Sequence, residues 1–139
     1  MNIAPFLLAA WIFNTAALAE TNSNQFDLNC TGDAKVYRDK KMVTEPFVQT
    51  LHIDLPKGEY CTDECREILK LHDVNSMKIT LVDEYQKRSA ISIYQNTRAI
   101  DRTNGAYKIA FLDSNNLKSL TVEARCKPAP FTPFPTTKF

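Results

Sequence analysis

Apolar and polar side chains alternate along most of the chain beyond its first twenty residues. In QFDLNC (residues 25–30), Phe26, Leu28 and Cys30 share one parity and Asp27 and Asn29 the other, the two-residue period of a half-buried strand. FVQTLHIDL places Phe47, Leu51, Ile53 and Leu55 on one face, with Thr50, His52 and Asp54 opposite. Pro56-Lys57-Gly58 then reads as a turn, and Glu59-Tyr60-Cys61 as the start of a return strand. MKITL contributes Met77, Ile79 and Leu81, and SAISIY contributes Ser89, Ile91 and Ile93. RAIDR and AYKIAFL flank Thr103-Asn104-Gly105, and Asn-Gly between alternating segments is a strong hairpin signal. Tyr107, Ile109 and Phe111 fall on one face of the second of these, and LTVEARC aligns Leu120, Val122, Ala124 and Cys126. Only DECREILKL breaks the pattern: Asp63 could cap a short helix over Ile68, Leu69 and Leu71, or the stretch could be a loop leading into another strand. The expected fold is all-β, a small antiparallel meander barrel or two-sheet sandwich of about seven strands.

The first nineteen residues stand apart. An apolar run from Ile3 to Phe13 leads to Ala17-Leu18-Ala19, an A-x-A cleavage pattern before Glu20. The run falls well short of the ~20 residues that span a bilayer. Its leading region lacks Lys and Arg, and no lipid-accepting cysteine follows. Residues 1–19 therefore read as a signal peptide, 20–127 as one β domain and 128–139 as a tail, in a periplasmic or secreted protein without a membrane span. The net charge of +1 argues against a nucleic-acid or membrane-surface binder, which needs a basic excess on one face. YRDKK and DEYQKRS mix both signs and read as loops rather than an anion-binding patch.

Export changes the reading of the four cysteines, Cys30, Cys61, Cys65 and Cys126, from thiols to disulfides. Three pairings are open, and the preferred one joins Cys30 to Cys126 and Cys61 to Cys65. Both outer cysteines lie on the apolar parity of their strands, and a bridge there between first and last strand suits a closed or nearly closed antiparallel barrel. Chain-entropy reasoning gives the long loop roughly 4–5 kcal/mol and the short one ~2 kcal/mol.

Candidate chemistry is sparse. Cys61 and Cys65 with His72 could offer two thiolates and an imidazole to a metal, or the cysteine pair could be a redox dithiol. A structural disulfide is the simpler reading, because a closed zinc site needs a fourth ligand and His52 sits on an outward strand face with nothing to aim it. His72-Asp73 cannot form a catalytic pair within one strand, where neighbours point oppositely. Asp63-Glu64 and Asp83-Glu84 read as solvated surface, and three glycines leave no phosphate-cradling loop. Asn29-Cys30-Thr31 fits a glycosylation sequon but is discounted, with Cys30 expected in a bridge. No enzymatic activity and no cofactor are expected.

The tail, CKPAPFTPFPTTKF, holds Pro128, Pro130, Pro133 and Pro135 among Phe131, Phe134 and Phe139. Proline cannot donate to a ladder, so the sheet is expected to stop near Cys126. Pro130-Phe131-Thr132-Pro133 matches P-x-x-P, a docking segment for a groove of a cytosolic signalling module. For an exported chain the better reading is a stiff segment laid on the domain, with Phe131 and Phe134 covering a sheet face or a barrel end.

Four stretches together carry a resemblance: Phe26–Gly32 (F-D-L-x-C-x-G), Tyr60–Cys65 (Y-C-x3-C), Ile100–Tyr107 (I-D-R-x-x-G-x-Y) and Cys126–Pro135 (C-x-P-A-P-F-T-x-F-P). They resemble a group of short exported proteins of Gram-negative, sphingomonad-type bacteria. The resemblance spans the chain beyond the leader and implies an exported four-cysteine β-protein, with no activity or site residues attached. Three functions are expected in order: a non-enzymatic barrel that binds a small apolar ligand or serves the cell envelope, with a small molecule or an envelope protein as partner; a protein-binding inhibitor, by analogy with disulfide-tied lysozyme inhibitors; and a metal or thiol-redox protein using Cys61, Cys65 and His72.

Overall fold

The computed structural model describes residues 24–136, so the leader over residues 1–19 and the last phenylalanine, Phe139, lie outside the described residues. The described residues are all-β, a curled antiparallel half-barrel of nine strands rather than about seven. The strands are β1 (Gln25–Arg38), β2 (Lys41–Asp54), β3 (Glu59–Thr62), β4 (Leu69–Lys70), β5 (Asp73–Val74), β6 (Lys78–Lys87), β7 (Ile93–Asp101), β8 (Ala106–Asp113) and β9 (Lys118–Ala129). Their order in the sheet is β4-β3-β2-β1-β9-β8-β7-β6-β5. β1 pairs β9, so the first and last strands meet in the middle of the sheet, while the two ends, β4 and β5, are consecutive in the chain. Between them Leu71 N–H donates to Gly58 O and His72 N–H to Thr80 O, carrying the backbone from one end of the sheet to the other. β3 pairs only residues 51–54 of β2, and β5 pairs only residues 79–80 of β6, so the rest of β2 and β6 has no strand paired on that side among the described residues. Those free edges carry Glu45, Pro46, Asp83, Glu84 and Lys87, residues that discourage a further strand from adding.

Several strands run further than their alternation suggests. β1 and β2 pair along their whole length to Arg38 and Lys41, joined by Asp39 and Lys40. Both take left-handed backbone (φ 52° and 63°), the geometry of a two-residue hairpin whose twist matches the strands. YRDKK is thus a strand end and a tight turn. Residues 83–87 of DEYQKRS complete β6, and SAISIY is a turn up to Ser92 with strand only from Ile93, because Arg88 N–H closes onto Ser92 O. DECREILKL holds no helix: Asp63 and Cys65 take left-handed backbone in a turn, and the stretch then enters β4. At the other terminus the sheet does not stop at Cys126. Leu28 pairs Pro128 and Asp27 pairs Ala129, so the first residues of the expected tail are strand.

The core lies inside the curl. Leu28, Leu51, Ile53, Ile79, Leu81, Ile100, Ile109 and Val122 are buried there with Tyr60 and Tyr107. A register shift between Thr80 and Val82 turns both Leu81 and Val82 toward it. Cys30 lies directly opposite Cys126 on the core side, and the two are joined across the β1–β9 seam. Two glycines permit this packing. A Cβ on Gly32 would stand 2.1 Å from Glu123 O, and one on Gly105 would stand 2.6 Å from Cys126 O. Gly105 also needs its φ of 73°, and its carbonyl accepts the Cys126 N–H.

Candidate functional site

One end of the half-barrel gathers most of the distinctive chemistry. A cavity of about 580 Å³ opens there, walled by Phe26, Leu28, Ile79, Ile100, Pro128 and Pro130 and rimmed by the β7–β8 turn from Asp101 to Gly105. The apolar wall follows from strand parity: Phe26, Leu28, Ile100 and Pro128 face inward from the ends of their strands, where no further side chain fills the curl. The rim is rigid. Thr103 donates its N–H (2.8 Å) and hydroxyl (2.5 Å) to Asp101 Oδ1, and these bonds hold the Asp101 carboxyl below its usual range. Arg125 donates to Asn104 O and Arg102 to Asn75 O, tying the turn to β9 and to the approach to β6.

Further inside the curl stands a polar group of another kind. Tyr107 is fully buried and donates its hydroxyl to Gln49 (3.1 Å), with the Phe47 ring 6.2 Å away. Burial pushes the Tyr107 phenol up to about 12, partly opposed by the neighbouring Arg98 guanidinium. Burial raises Tyr60 as well, against the same guanidinium. Arg98 therefore reaches from β7 toward the β2–β3 wall.

The outer face at the cavity end holds a buried, hydrogen-bonded carboxyl–imidazole pair. Asp27, His52 and Cys61 are cross-strand neighbours on β1, β2 and β3, with Ala129 of β9 on the other side of Asp27. His52 Nδ1 lies 2.8 Å from Asp27 Oδ1, and Nε2 lies 2.9 Å from the Asp63 carbonyl. A carbonyl only accepts, so Nε2 is the donor there, and Nδ1 faces the Asp27 carboxyl. Thr132 N–H donates to Asp27 Oδ1 (3.1 Å) and its hydroxyl to Oδ2 (2.6 Å). Both members of the pair are buried, Asp27 to 5% and His52 to 8% residual exposure. The reading of His52 as an outward side chain with nothing to aim it is therefore corrected. Two covers replace water over it: the Cys61–Cys65 turn, which supplies the Asp63 carbonyl, and the tail, which supplies Thr132. Asp54, on the same parity as His52, is also buried and accepts from the Gln25 side chain and the Lys57 N–H.

The other residues singled out from the sequence do not assemble into a site. Cys61 and Cys65 are joined in a disulfide, and His72 is exposed with Nε2 3.9 Å from Asp83. Among the described residues no group of three His, Cys, Asp or Glu side chains is placed to hold a metal ion. Glu64 pairs with Arg66 in solvent, and Glu84 accepts the Tyr94 hydroxyl (3.3 Å). The Thr132 hydroxyl is bonded to the Asp27 carboxyl rather than to the His52 imidazole. Phe131 and Phe134 are half-buried and pack edge to face on each other, centroids 5.7 Å apart.

Three of the four stretches that carry the resemblance meet at this end: Asp27 meets Thr132, Cys30 meets Cys126, and Gly105 meets Cys126. No family model, no curated protein and no solved structure matches the chain.

Proposed function

We propose that this is an exported, non-enzymatic protein that holds a small apolar ligand in the cavity at the tail end of the half-barrel. The observation that carries the reading is the cavity itself, whose volume of about 580 Å³ lies within the ~300–1,000 Å³ of small-molecule sites. Its wall is aliphatic, aromatic and prolyl, and its polar groups are confined to one fixed turn, the arrangement that suits a ligand with a long apolar body and one polar end. The two disulfides support residence in an oxidising compartment, periplasm or exterior. The buried Asp27–His52 pair supports a structural role, since every polar contact it makes serves to pin the tail and the short disulfide turn.

The test is extraction of the protein purified from its native compartment, with mass spectrometry of what is released, followed by titration with a fluorescent acyl probe. Pro128 lines the cavity yet is exposed, so Pro128→Trp places an indole across the opening without disturbing the core. The parent protein should bind the probe with one-to-one stoichiometry, and Pro128→Trp should lose that binding at an unchanged melting temperature. A parent that carries nothing and binds no apolar probe overturns the proposal.

A further inference from the structure

The opposite end of the half-barrel is built differently. Three turns stand there: Asp39–Lys40 between β1 and β2, residues 88–92 between β6 and β7, and residues 114–117 between β8 and β9. Register places them side by side, with Tyr37 opposite Ser119 and Tyr94 opposite Asp113, and Ser114 bonded to Ile93 N–H and Ile91 O. Each turn or its flank holds an aliphatic side chain out in solvent: Met42 is 60%, Ile91 88% and Leu117 70% exposed. The same turns carry Arg38, Lys40, Lys41, Lys87, Arg88 and Lys118, against only Asp39 and Asp113. Asp113 accepts from Asn115 and Asn116 within its own turn and feels the Arg88 guanidinium, and among the described residues Arg38 is the one of these cations within salt-bridge distance of a carboxylate, Glu45 at 3.2 Å. A net charge of +1 argued against a basic face, yet the fold collects the basic residues of YRDKK and DEYQKRS at one end.

We propose that this end docks on an anionic lipid bilayer surface, with Met42, Ile91 and Leu117 entering the headgroup layer and the surrounding Lys and Arg side chains meeting lipid phosphates. Separate apolar prongs ringed by cations fit a soft interface, where each prong gains burial independently and the cations gain from the negative surface potential. A protein partner would need a continuous complementary patch, which three separate tips do not offer. A nucleic acid would use cations and stacking aromatics, and it gains nothing from the aliphatic tips.

Co-sedimentation with phosphatidylcholine vesicles, with and without phosphatidylglycerol, tests the proposal. The protein should sediment only with the anionic vesicles and come off as salt is raised. Lys40→Ala and Lys41→Ala should each weaken binding about fivefold. Ile91→Asp with Leu117→Asp should abolish it at an unchanged melting temperature, since both positions are exposed. Pro128→Trp should sediment like the parent, which separates surface docking from uptake of single lipids into the cavity. Failure to bind anionic vesicles, equal binding to neutral ones, binding that survives the Asp substitutions, or binding lost with Pro128→Trp would each overturn the proposal. So would retention of single-stranded nucleic acid by the same lysines without vesicle binding.

Discussion

Thr132 and Asp27, 105 residues apart in the chain, are joined by two hydrogen bonds, from the threonine N–H and from its hydroxyl, to one buried carboxylate. The tail is therefore fastened by a polar contact, beside which the half-buried Phe131 and Phe134 pack on each other. Hydrogen bonds to a charged group are worth about 1.5–3 kcal/mol, and an acceptor left dry and unpaired costs more than the bond alone. Thr132→Val removes the hydroxyl at nearly constant volume and should lower stability by about 1.5–3 kcal/mol. Chemical denaturation measures it. A midpoint equal to that of the parent protein would mean that the tail is not held at Asp27 in solution.

Removing the tail beyond Ala129 deletes both Thr132 bonds and the half-buried Phe131 and Phe134 while leaving β9 intact. The expected loss is roughly 2–5 kcal/mol, from the bonds and a fraction of the ring burial. The truncated protein should melt visibly lower and bind a hydrophobic dye more strongly. An unchanged melt would favour a free recognition segment instead.

Gly58 and Gly105 share left-handed backbone, with φ of 63° and 73°, but only Gly105 faces a near neighbour. Gly58→Ala should cost about 1–2 kcal/mol, the left-handed penalty alone. Gly105→Ala adds a clash with Cys126 O on the strand that carries the long disulfide, so it should cost at least about 1 kcal/mol more. Parallel melts of the two variants measure the difference, and equal losses would show that β9 yields freely at Cys126.

Much of the architecture is legible in the alternation, because a sheet with one buried face imposes a two-residue period on every long strand. The shared parity of Cys30 and Cys126 places both on the core side, and the structure joins them there. The period is silent where strands are two residues long, as in β4 and β5, or where both faces are covered. Residues 51–54 are buried one after another because the tail and the disulfide turn cover the outer face, and no local pattern announces covers that come from residues 63 and 132. The Asp39-Lys40 turn is hidden for a different reason: its second position is filled by lysine where glycine is usual. The apolar cavity is announced by no local pattern, since its wall is assembled from strand ends far apart in sequence.

Tyr107 gives the fold an alkaline limit. Its phenol stays protonated in the folded state up to about 12, against 10.0 when exposed. The unfolded chain loses that proton first, so stability is unaffected below pH ~10 and falls as pH rises toward the folded value. The loss attributable to this group is of order 2–3 kcal/mol. Tyr107→Phe should flatten the decline between those limits while costing a hydrogen bond to Gln49 at neutral pH. Melting temperature against pH for both proteins checks this; parallel curves would remove Tyr107 as the cause.

The two disulfides should fail differently. Cys30–Cys126 spans 96 residues across the β1–β9 seam, and removing it by paired Ala substitution should cost about 2–5 kcal/mol. Cys61–Cys65 closes a loop of four, where the entropic gain is small, ~2 kcal/mol. Its turn, however, supplies the Asp63 carbonyl to His52 and the Asp63 N–H and carboxylate to Thr50. Opening it should uncover His52 while the long strands remain paired. Cys61→Ala with Cys65→Ala should therefore lower the global midpoint only modestly, yet make the His52 imidazole reactive to diethylpyrocarbonate, which the parent protein resists. Reaction at His52 is read by peptide mapping, with exposed His72 as the internal standard in both proteins. Equal protection of His52 with and without the short bridge would place the cover in the tail alone, and Thr132→Val would then be the variant that exposes the ring.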